Sequence, residues 1–525
     1  MIETENPKTT IKEIAMKQYY LGIEFGSTRV KAVLIDGEHR IVKSGDYTWK
    51  SSLENGVWTY HMEDVQTGLR TAIRNLGELP GAVSAMGISG MMHGYLAFDK
   101  DWNLLAPFRT WQNTMTGEAA EQLTAEFGFN IPQRWSIAHL YQAVLNGEAH
   151  VKNIAHITTL AGYVHYLLTG ENVLGVGEAS GMFPIDSEAL DYDAAMLEKF
   201  DALIAKYGFA WTARSVLPKV LTAGQAAGAL TQAGSTFLDG LLPAGIPFCP
   251  PEGDAGTGMT ATNAVAPRTG NVSAGTSIFA MVVLEKPLSK VYQEIDMVTT
   301  PSGKPVAMVH CNNCTNDMNA WVSLLGETAK LFGAEVSTGE LFTKLYQKSL
   351  EGDADCSGVL TYNYMAGEGI THLDEGRPMV VRKPESSFTL ANFLRSQLYA
   401  TMSTLKLGMD ILAEEHVAID FLTGHGGLFK TPVVGQKYMA AACRASVTCM
   451  ESAGEGGPYG MALLASYLVQ KQDGQTLEQY LETEIFADVK RTTLAPDPED
   501  EAGFDRYLSW YRSALAAENA AVKAF

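Results

Sequence analysis

The amino-acid sequence predicts an α/β protein of two domains related by duplication, with a cleft between them. Short apolar runs alternate with segments of helical spacing along most of the chain, which is the pattern of an α/β fold. Residues 19–36 and 270–284 share one design, two apolar runs joined by a small-residue turn, and each opens one half of the chain. With 525 residues, the chain is also long enough for more than one domain of about 150 residues.

The first half begins with a predicted β-hairpin over residues 19–36, because two apolar runs flank a Gly-Ser-Thr turn. A third strand is predicted at 41–49 and another at 83–89. Between them, apolar residues recur every three or four positions, which predicts a helix over 64–76 with Asp64 as its N-cap. The first half therefore opens in the order β-β-β-α-β.

The second half repeats this order, starting with the hairpin over 270–284. Further predicted elements are strands at 306–310, 418–423 and 447–450, and helices at 315–325, 387–412, 434–444 and 459–469. The acidic stretch 495–503 is predicted to be a surface loop. The domain boundary falls near residues 264–270, which gives an N-terminal arm at 1–17, a first domain at 18–266 and a second domain at 267–525.

The composition excludes several classes of protein. Acidic residues outnumber basic ones by 59 to 39, and a net charge of −20 disfavours nucleic-acid binding. Hydrophobic residues make up 46% of the chain, which is enough for large cores. No run approaches the ~18 apolar residues of a membrane helix, and residues 1–17 lack the apolar core of a signal peptide. Six scattered cysteines indicate a reducing compartment, so we expect a cytoplasmic protein.

Small-residue turns are the first candidate binding elements, because consecutive backbone N–H groups and hydroxyls suit phosphate oxygens. Two turns with this composition open the two halves: Gly26-Ser27-Thr28 and Gly275-Thr276-Ser277. Each alone is equally consistent with an ordinary hairpin turn. As a duplicated pair, they predict a phosphate chain held from both sides.

Two glycine-rich segments follow later in the chain. Residues 424–427 (Gly-His-Gly-Gly) end a predicted strand and permit close approach of a ring or sugar. Residues 454–460 open the last apolar helix, but they match the dinucleotide fingerprint poorly. The GxxxxGK[ST] pattern is absent from the sequence, which excludes a P-loop enzyme.

Asp254 is the candidate for catalysis. It stands between Gly253 and Ala255 ahead of small residues, where a carboxylate can accept a proton from a substrate hydroxyl. The alternative is a simple helix N-cap. Glu24 lies in the first hairpin beside the phosphate turn and can orient Mg²⁺ through water, or it is a solvated strand residue.

Candidate substrate contacts follow the strand at 83–89. His93, preceded by Met92 and flanked by Gly90 and Gly94, is either a ligand contact or a structural histidine. The Trp111-Gln112-Asn113 segment offers an aromatic platform and two amides that suit a polyol, or it is a buried Trp with surface amides. A lone CxxC at 311–314 has no second pair for zinc, so a reduced, buried thiol pair is favoured.

These segments, in this order, resemble the FGGY family of carbohydrate kinases, within the actin/Hsp70-like ATPase superfamily. The resemblance runs from Tyr19 to about Val469. The matching segments are 22–28 and 275–277 (phosphate motifs), 88–94 (the Met-His segment of xylulokinases), 167–170 with 178–181 ("LTG … DASG"), 253–254, 367–372, 423–427 (adenosine motif) and 460–465. The chain departs from the family pattern at Glu24, Gln112-Asn113, Gly369 and His425, where Asp, Asn-Asp, Arg and Gly are usual.

The resemblance implies two ribonuclease-H-like domains with the active site in the cleft between them, and ATP and Mg²⁺ as cofactors. Asp254 would be the catalytic base, and Glu24 would hold Mg²⁺ through water. The implied sugar contacts are Met92, His93, Trp111, Asn113 and Asp254. The implied ATP contacts are Gly26, Ser27, Thr28, Gly275, Thr276, Ser277, Gly426 and Gly427.

The resemblance therefore implies an ATP-dependent kinase that phosphorylates the terminal primary hydroxyl of a ketopentose. D-Xylulose leads because of the Met-His-Gly segment, L-ribulose is the runner-up, and glycerol and gluconate follow. Two non-kinase alternatives are a catalytically inactive sugar sensor and a nucleotide-gated chaperone or filament protein of the same superfamily. The expected partners are a small-molecule sugar and ATP, with neither nucleic acid nor a membrane, and a homodimer is possible.

Overall fold

A computed structural model describes residues 18–450 and 456–525, and these residues form two α/β lobes. The predicted arm at 1–17 lies outside the described residues, as does the first part of the glycine-rich segment 454–460.

The first lobe is built on a mixed sheet. Its strands are β1 (Tyr19–Phe25), β2 (Arg29–Asp36), β3 (Ile41–Thr48), β4 (Ser52–Glu54), β5 (Val57–Thr59), β6 (Val83–Gly90), β7 (Leu96–Phe98), β8 (His156–Thr158), β9 (Val173–Gly175), β10 (Ile185–Asp186), β11 (Asp191–Tyr192), β12 (Lys219–Leu221) and β13 (Glu252–Gly253). Among the described residues, five of them form the central sheet in the order β13-β6-β1-β2-β3. β1 runs antiparallel to β2 and parallel to β6.

The first lobe also contains helices. They are α1 (Met62–Arg74), α2 (Gly117–Phe127), α3 (Ser136–Leu145), α4 (Leu160–Thr169), α5 (Val176–Ala179), α6 (Ala194–Ile204), α7 (Ala213–Val216), α8 (Gln232–Phe237) and α9 (Asp254–Ala261). α1 buries Val65, Leu69, Ala72 and Ile73, which is the apolar stripe that predicts it. It begins two residues earlier than predicted, with His61 rather than Asp64 at the N-cap.

The second lobe repeats the plan with a larger sheet. Its strands are β14 (Thr269–Ala274), β15 (Ile278–Val283), β16 (Asp296–Thr299), β17 (Pro305–Cys311), β18 (Val359–Tyr362), β19 (Met379–Arg382), β20 (Phe421–Gly426), β21 (Ser446–Met450) and β22 (Arg491–Leu494). Its helices are α10 (Asn316–Leu331), α11 (Thr338–Ser349), α12 (Leu390–Glu414), α13 (Val434–Cys443), α14 (Gly457–Gln470), α15 (Leu477–Tyr480) and α16 (Pro498–Ala524). Within the described residues, the sheet order is β16-β17-β15-β14-β20-β21-β22.

The two sheets share one topology at their centres. β1 lies between its antiparallel hairpin partner β2 and the parallel strand β6. β14 lies in the same way between antiparallel β15 and parallel β20. This repeated arrangement confirms the predicted fold class of two duplicated α/β domains.

The acidic segment 495–503 is not a loop, and that prediction is wrong. Helix α16 begins inside it at Pro498, and the Asp497 side chain accepts hydrogen bonds from the backbone N–H groups of Glu499 and Asp500. The acids that suggested a solvated loop are first-turn residues, which favour a helix N-terminus because they complement its dipole. Proline at the first helical position fits the same start signal.

Helix α14 connects the two lobes, because it lies between β21 and β22 of the second sheet in sequence but packs against β1 and β6 of the first. The contact is closest at Gly22 in β1. A Cβ at that position would overlap Pro458 O and Ala462 N of α14. Among the described residues, no helix is both long and apolar enough to span a membrane.

We expect Gly22→Ala to destabilise the fold by about 3 kcal/mol, because backbone atoms of α14 cannot move aside for the added methyl. Chemical denaturation measures the change in the free energy of unfolding. Gly339→Ala in α11 is the matched control, since nothing lies within 4 Å of its Cβ position, and it should change stability by no more than about 1 kcal/mol. Equal effects of the two substitutions would contradict a tight α14–β1 contact.

Candidate active site

A cavity of about 370 Å³ lies between the lobes. The first lobe supplies carboxylates, a serine and the predicted sugar contacts, and the second lobe supplies the facing wall. The lining residues are Glu24, Ser27, Met91, Met92, His93, Trp111, Arg134, Asp254, Ala255, Gly258, Thr262, Asn271, Ser277, Phe279, Met308, His310, His425, Gly456 and Gly457.

The structure brings half of the predicted site residues to this cavity. Those that line it are Glu24, Ser27, Met92, His93, Trp111, Asp254 and Ser277. Those that do not line it are Gly26, Thr28, Asn113, Gly275, Thr276, Gly426 and Gly427. Six glycine and threonine residues of the second group belong to the turns beside the cavity, and Asn113 is the exception.

Asp254 is the first residue of α9, directly after β13, and the N-cap position belongs to Gly253. The Asp254 Oδ1 atom accepts a hydrogen bond of 3.2 Å from the Met92 backbone N–H. Burial raises the pKa of Asp254 to about 6, although hydrogen bonds from backbone N–H groups oppose the shift. A carboxyl group with this pKa, in a cavity, suits proton transfer near neutral pH.

Glu24 lies near Asp254, at the end of β1. Its carboxyl group fills the space beside Gly457, where a Cβ would overlap Glu24 Oε2. Burial, followed by the negative charge of Asp254, raises the pKa of Glu24 to about 8, and Lys31 opposes the shift. The alternative of a solvated strand residue therefore does not hold, because Glu24 lines the cavity.

His93 is held in one orientation. It follows β6 in a left-handed backbone conformation with φ of 67°, and its ring lies parallel to that of Trp135 with centroids 6.0 Å apart. The His93 Nδ1–H donates a 2.9 Å hydrogen bond to the Gly181 carbonyl, so Nε2 carries the free lone pair of the neutral ring. Burial lowers the pKa of His93 to about 3, which makes Nε2 a hydrogen-bond acceptor for a hydroxyl.

The two small-residue turns lie on opposite sides of the cavity, represented by Ser27 and Ser277. In each turn the first glycine N–H donates within the turn, to Arg29 O in one and to Ser277 O in the other, both at 2.9 Å. Trp111 joins the first turn, since its Nε1–H donates to Ser27 Oγ at 3.3 Å.

The glycine-rich segment 424–427 ends strand β20, and its glycines permit close packing. A Cβ at Gly424 would lie 2.5 Å from the Phe429 ring, and Gly426 has a φ of +95° against Ala274. His425, the departure from the family pattern, directs its ring to the cavity. Its buried Nε2 atom has no hydrogen-bond partner among the described residues.

Asn113 serves the fold rather than the cavity. It is 3% exposed, and its amide pairs with the Trp58 backbone through two hydrogen bonds of 2.8 Å. Trp111, by contrast, is 37% exposed and lines the cavity. The aromatic part of the predicted platform is therefore at the site, and the Asn113 amide is not.

Sequence reasoning missed the second-lobe wall of the cavity. Phe279 and His310 are paired neighbours on β15 and β17, and Met308 lies on the same face two residues from His310. The sequence signal that could have identified this wall is the alternation of side chains along β15 and β17, because residues two apart in a strand share a sheet face. Arg134, also missed, forms an ion pair with Asp296 of β16 and so connects the two lobes.

Cys311 and Cys314 are buried free thiols, as predicted for the CxxC segment. No group of three or more His, Cys, Asp and Glu side chains with metal-binding geometry occurs in residues 18–450 and 456–525. Burial raises the pKa of Cys314 to about 12, which keeps it protonated and unreactive.

Comparison with known proteins agrees with the fold. Residues 19–259 match the N-terminal domain of the FGGY family of carbohydrate kinases, and residues 270–469 match the C-terminal domain of that family. The chain therefore belongs to the FGGY family of carbohydrate kinases, and the resemblance drawn from the motifs is confirmed. It is a phosphotransferase of the carbohydrate kinase type.

Individual relatives are distant. The chain is 22% identical to the xylulose kinase of Haemophilus influenzae over 513 residues, covering 93% of this chain and 99% of that protein. It is 27% identical over 291 residues to the glycerol kinase of Thermococcus kodakarensis, covering 52% of this chain and 54% of that protein. A 26% match to the glycerol kinase of Thermococcus gammatolerans covers 35% of this chain and 41% of that one. The chain thus spans about half or less of the glycerol kinases it matches.

Solved structures share the whole fold. The ligand-bound xylulose kinase of Lactobacillus acidophilus superposes with a TM-score of 0.78 at 16% identity, over 96% of this chain and 99% of that one. The gluconate kinase of the same organism gives 0.78 at 17% identity, over the same shares of the two chains. At these identities the likeness concerns the fold.

The pKa of Asp254 predicts a measurable proton uptake. As the pH falls through about 6, the wild type should bind one proton that Asp254→Asn does not bind. Potentiometric titration of the two proteins gives this difference. Because Glu24 and Glu178 face Asp254, the loss of its charge also lowers their pKa values and adds a second feature at higher pH. Uptake of the extra proton near the ordinary value of 3.8 would contradict the raised pKa of Asp254.

Proposed function

We propose that this protein transfers the γ-phosphoryl group of ATP to the terminal primary hydroxyl of a ketopentose, with D-xylulose as the first candidate. The observation that carries the proposal is the position of Asp254. Its carboxyl group lies in the interlobe cavity together with the two hydroxyl turns and the fixed histidine His93.

The sugar end of the cavity supports a polyhydroxylated substrate. His93 Nε2 accepts a hydrogen bond from a hydroxyl, because its Nδ1–H is engaged by Gly181. Met92, Phe279 and Trp111 contribute apolar surface to the same cavity, which suits the carbon faces of a sugar. The cavity thus combines the neutral acceptor His93 Nε2, the carboxylate of Asp254 and apolar surface. This combination favours a neutral sugar over a free anion.

In the proposed reaction, Asp254 accepts the proton of the attacking primary hydroxyl as the hydroxyl oxygen bonds to the γ-phosphorus. The bond between that phosphorus and the bridging oxygen breaks at the same time, and ADP leaves with the electron pair. The Met92 backbone N–H fixes the Asp254 Oδ1 atom, so the carboxylate is oriented before the sugar arrives. Phosphoryl transfer needs little covalent help, and positioning with charge stabilisation supplies most of the rate. The partly enclosed cavity keeps water from competing as the acceptor.

Elements of both lobes next to the cavity suit the nucleotide. Ser27 and Ser277 would contact phosphate oxygens from opposite lobes, supported by Gly26, Thr28, Gly275 and Thr276, and Gly426 and Gly427 would flank the adenosine. Glu24 offers carboxylate oxygens, which fit Mg²⁺ held through water. Bound Mg²⁺ would neutralise charge on the phosphates. The positive charge of Lys31 lowers the pKa of Glu24 and so favours the charged form of its carboxyl group.

Other sugars remain candidates, with L-ribulose as the runner-up. The match to the xylulose kinase of Haemophilus influenzae extends over 99% of that protein's length, and this full-length match favours a ketopentose as the substrate. Glycerol and gluconate follow, since glycerol kinases match over shorter segments and a gluconate kinase shares the fold. The inactive-sensor alternative is disfavoured, because Asp254 and both serine turns are present at the cavity.

The same proposal includes a cytoplasmic location, supported by six cysteines that are all free thiols. Its substrates are a small-molecule sugar and ATP, with no nucleic acid as a partner. A homodimer is part of the proposal as well.

A coupled ADP-release assay with Mg-ATP and a panel of ketopentoses, ketohexoses, glycerol and gluconate tests the substrate. We expect strong turnover with one ketopentose. Asp254→Asn should lower kcat by roughly 10²- to 10⁴-fold, because the general base is lost, while sugar binding measured by calorimetry persists. Near-normal turnover of Asp254→Asn would overturn the assignment of the base.

His93→Ala should raise the KM for the sugar about tenfold and leave the KM for ATP within twofold, because one hydrogen bond to the sugar is lost. His61→Ala is the matched control, since His61 is exposed at the start of α1, and it should change neither constant. Equal increases in both KM values would indicate that His93 supports the fold rather than the sugar.

A further inference from the structure

Two glutamates lie behind Asp254, outside the cavity lining. Glu178 is 0% exposed and Glu252 is 1% exposed. Glu252 precedes Gly253 and Asp254 in the chain, and Glu178 lies in α5. A buried carboxyl group is costly unless it is hydrogen-bonded, so this pair needs a structural reason.

Glu252 caps the first turn of α5. Its Oε2 atom accepts the Glu178 backbone N–H at 2.9 Å and also faces the N–H of Gly177. The residue at the N-cap position is Gly175, which has no side chain to do this, and helix-start N–H groups need an acceptor. Side chains at Gly175 or Gly177 would overlap the Glu252 carboxyl group, so the two glycines leave the space that this carboxyl group occupies.

The α5 turn also supports His93, the proposed sugar contact. Three residues after Glu178, the Gly181 carbonyl accepts the His93 Nδ1–H, and a Cβ at Gly181 would lie 2.8 Å from that nitrogen. The C-terminal lobe holds the same turn, because the Thr299 hydroxyl donates to the Val176 carbonyl at 3.0 Å. Any shift of α5 therefore moves the ring of His93.

Glu178 fills the space on the other side of the base. A Cβ at Gly253 would overlap Glu178 Oε2, so the Glu178 carboxyl group packs beside the residue that precedes Asp254. Neither Glu178 oxygen accepts a hydrogen bond from the described residues. Burial, together with the charges of Asp254 and Glu252, raises the pKa of Glu178 well above its usual range, which favours its neutral form.

We propose that Glu252 is a positioning residue, whose acceptor oxygen fixes the α5 turn and thereby sets the distance between His93 and Asp254. The link is short, because Glu252 lies two residues from Asp254 on one side and caps the turn that leads to Gly181 on the other. Glu178 fills the space beside Gly253 in the same core. The kinetic part of this inference rests on the proposed function.

The test compares Glu252→Met, which removes the acceptor at similar length, with Glu252→Gln, which keeps an acceptor oxygen. Glu252→Met should lower kcat/KM for the sugar at least tenfold, and Glu252→Gln should stay within threefold of the wild type. The KM for ATP should stay within twofold in both. Glu178→Gln should also stay within threefold, because the amide has the same shape and neither Glu178 oxygen holds a hydrogen bond. Glu188→Met, at an exposed position, is the control and should have no effect.

A second measurement does not depend on turnover. In protein labelled with ¹⁵N-histidine, the His93 Nδ1–H should give an exchange-protected signal in the wild type and Glu252→Gln, and this signal should be lost in Glu252→Met. Thermal unfolding checks that each variant is folded. Where Glu252→Met is too unstable to purify, Gly177→Ala replaces it with the same expectation, because its Cβ would overlap Glu252 Oε2.

The outcomes separate the two proposals. Equal behaviour of Glu252→Met and Glu252→Gln, or parallel increases in the KM values for sugar and ATP, would overturn the positioning role. A wild type inactive on every sugar of the panel would overturn the proposed function alone, and the His93 signal would still decide the role of Glu252.

Discussion

The close approach of α14 to β1 is the contact on which the rest of the structure depends. Gly22 has no side chain, so the start of α14 lies directly on the central strand of the first lobe. The same helix brings Gly457 against the carboxyl group of Glu24, at the far end of β1. Because α14 comes from the second half of the chain, this packing fixes the second lobe against the first and sets the width of the cavity between them.

Burial in this interlobe region also shifts the pKa values of the carboxyl groups at the cleft, and so changes the charge of the cleft. The formal net charge is −20, which by itself opposes binding of a polyphosphate. Inside the cleft, however, burial raises the pKa of Glu24 to about 8 and that of Asp254 to about 6, and it also raises the pKa of Glu178 behind them. The cleft is therefore less negative near pH 7 than its residue types suggest. A bound cation favours the charged form of a desolvated acid, and a proton accepted from the substrate neutralises it; the proposed reaction involves both.

The sequence predicted what depends on local pattern and missed what depends on distant pairing. The hairpins at residues 19–36 and 270–284 were predictable, since strand alternation and a small-residue turn specify them locally. The role of Asn113 was not, because its amide pairs with the backbone of Trp58, 55 residues away. Arg134 carried no local signal at all, since its partner Asp296 belongs to the other lobe. The helix at Pro498 was missed for another reason, because its acidic first turn has the composition of a solvated loop.

Both lobes contribute residues to the wall of the cavity, so the choice of substrate depends on the two lobes together. Met92 and His93 come from the first lobe, where the family motif is easily found in the sequence. Phe279 and His310 face them from neighbouring strands of the second sheet, and Arg134 is tied to that sheet through Asp296. Any change in the distance between the lobes therefore changes the shape of the sugar end and the separation of the two serine turns at once. Under the proposed function, selection of the sugar and alignment of the phosphoryl donor would be coupled through the same interlobe contacts, which would favour transfer to a sugar over transfer to water.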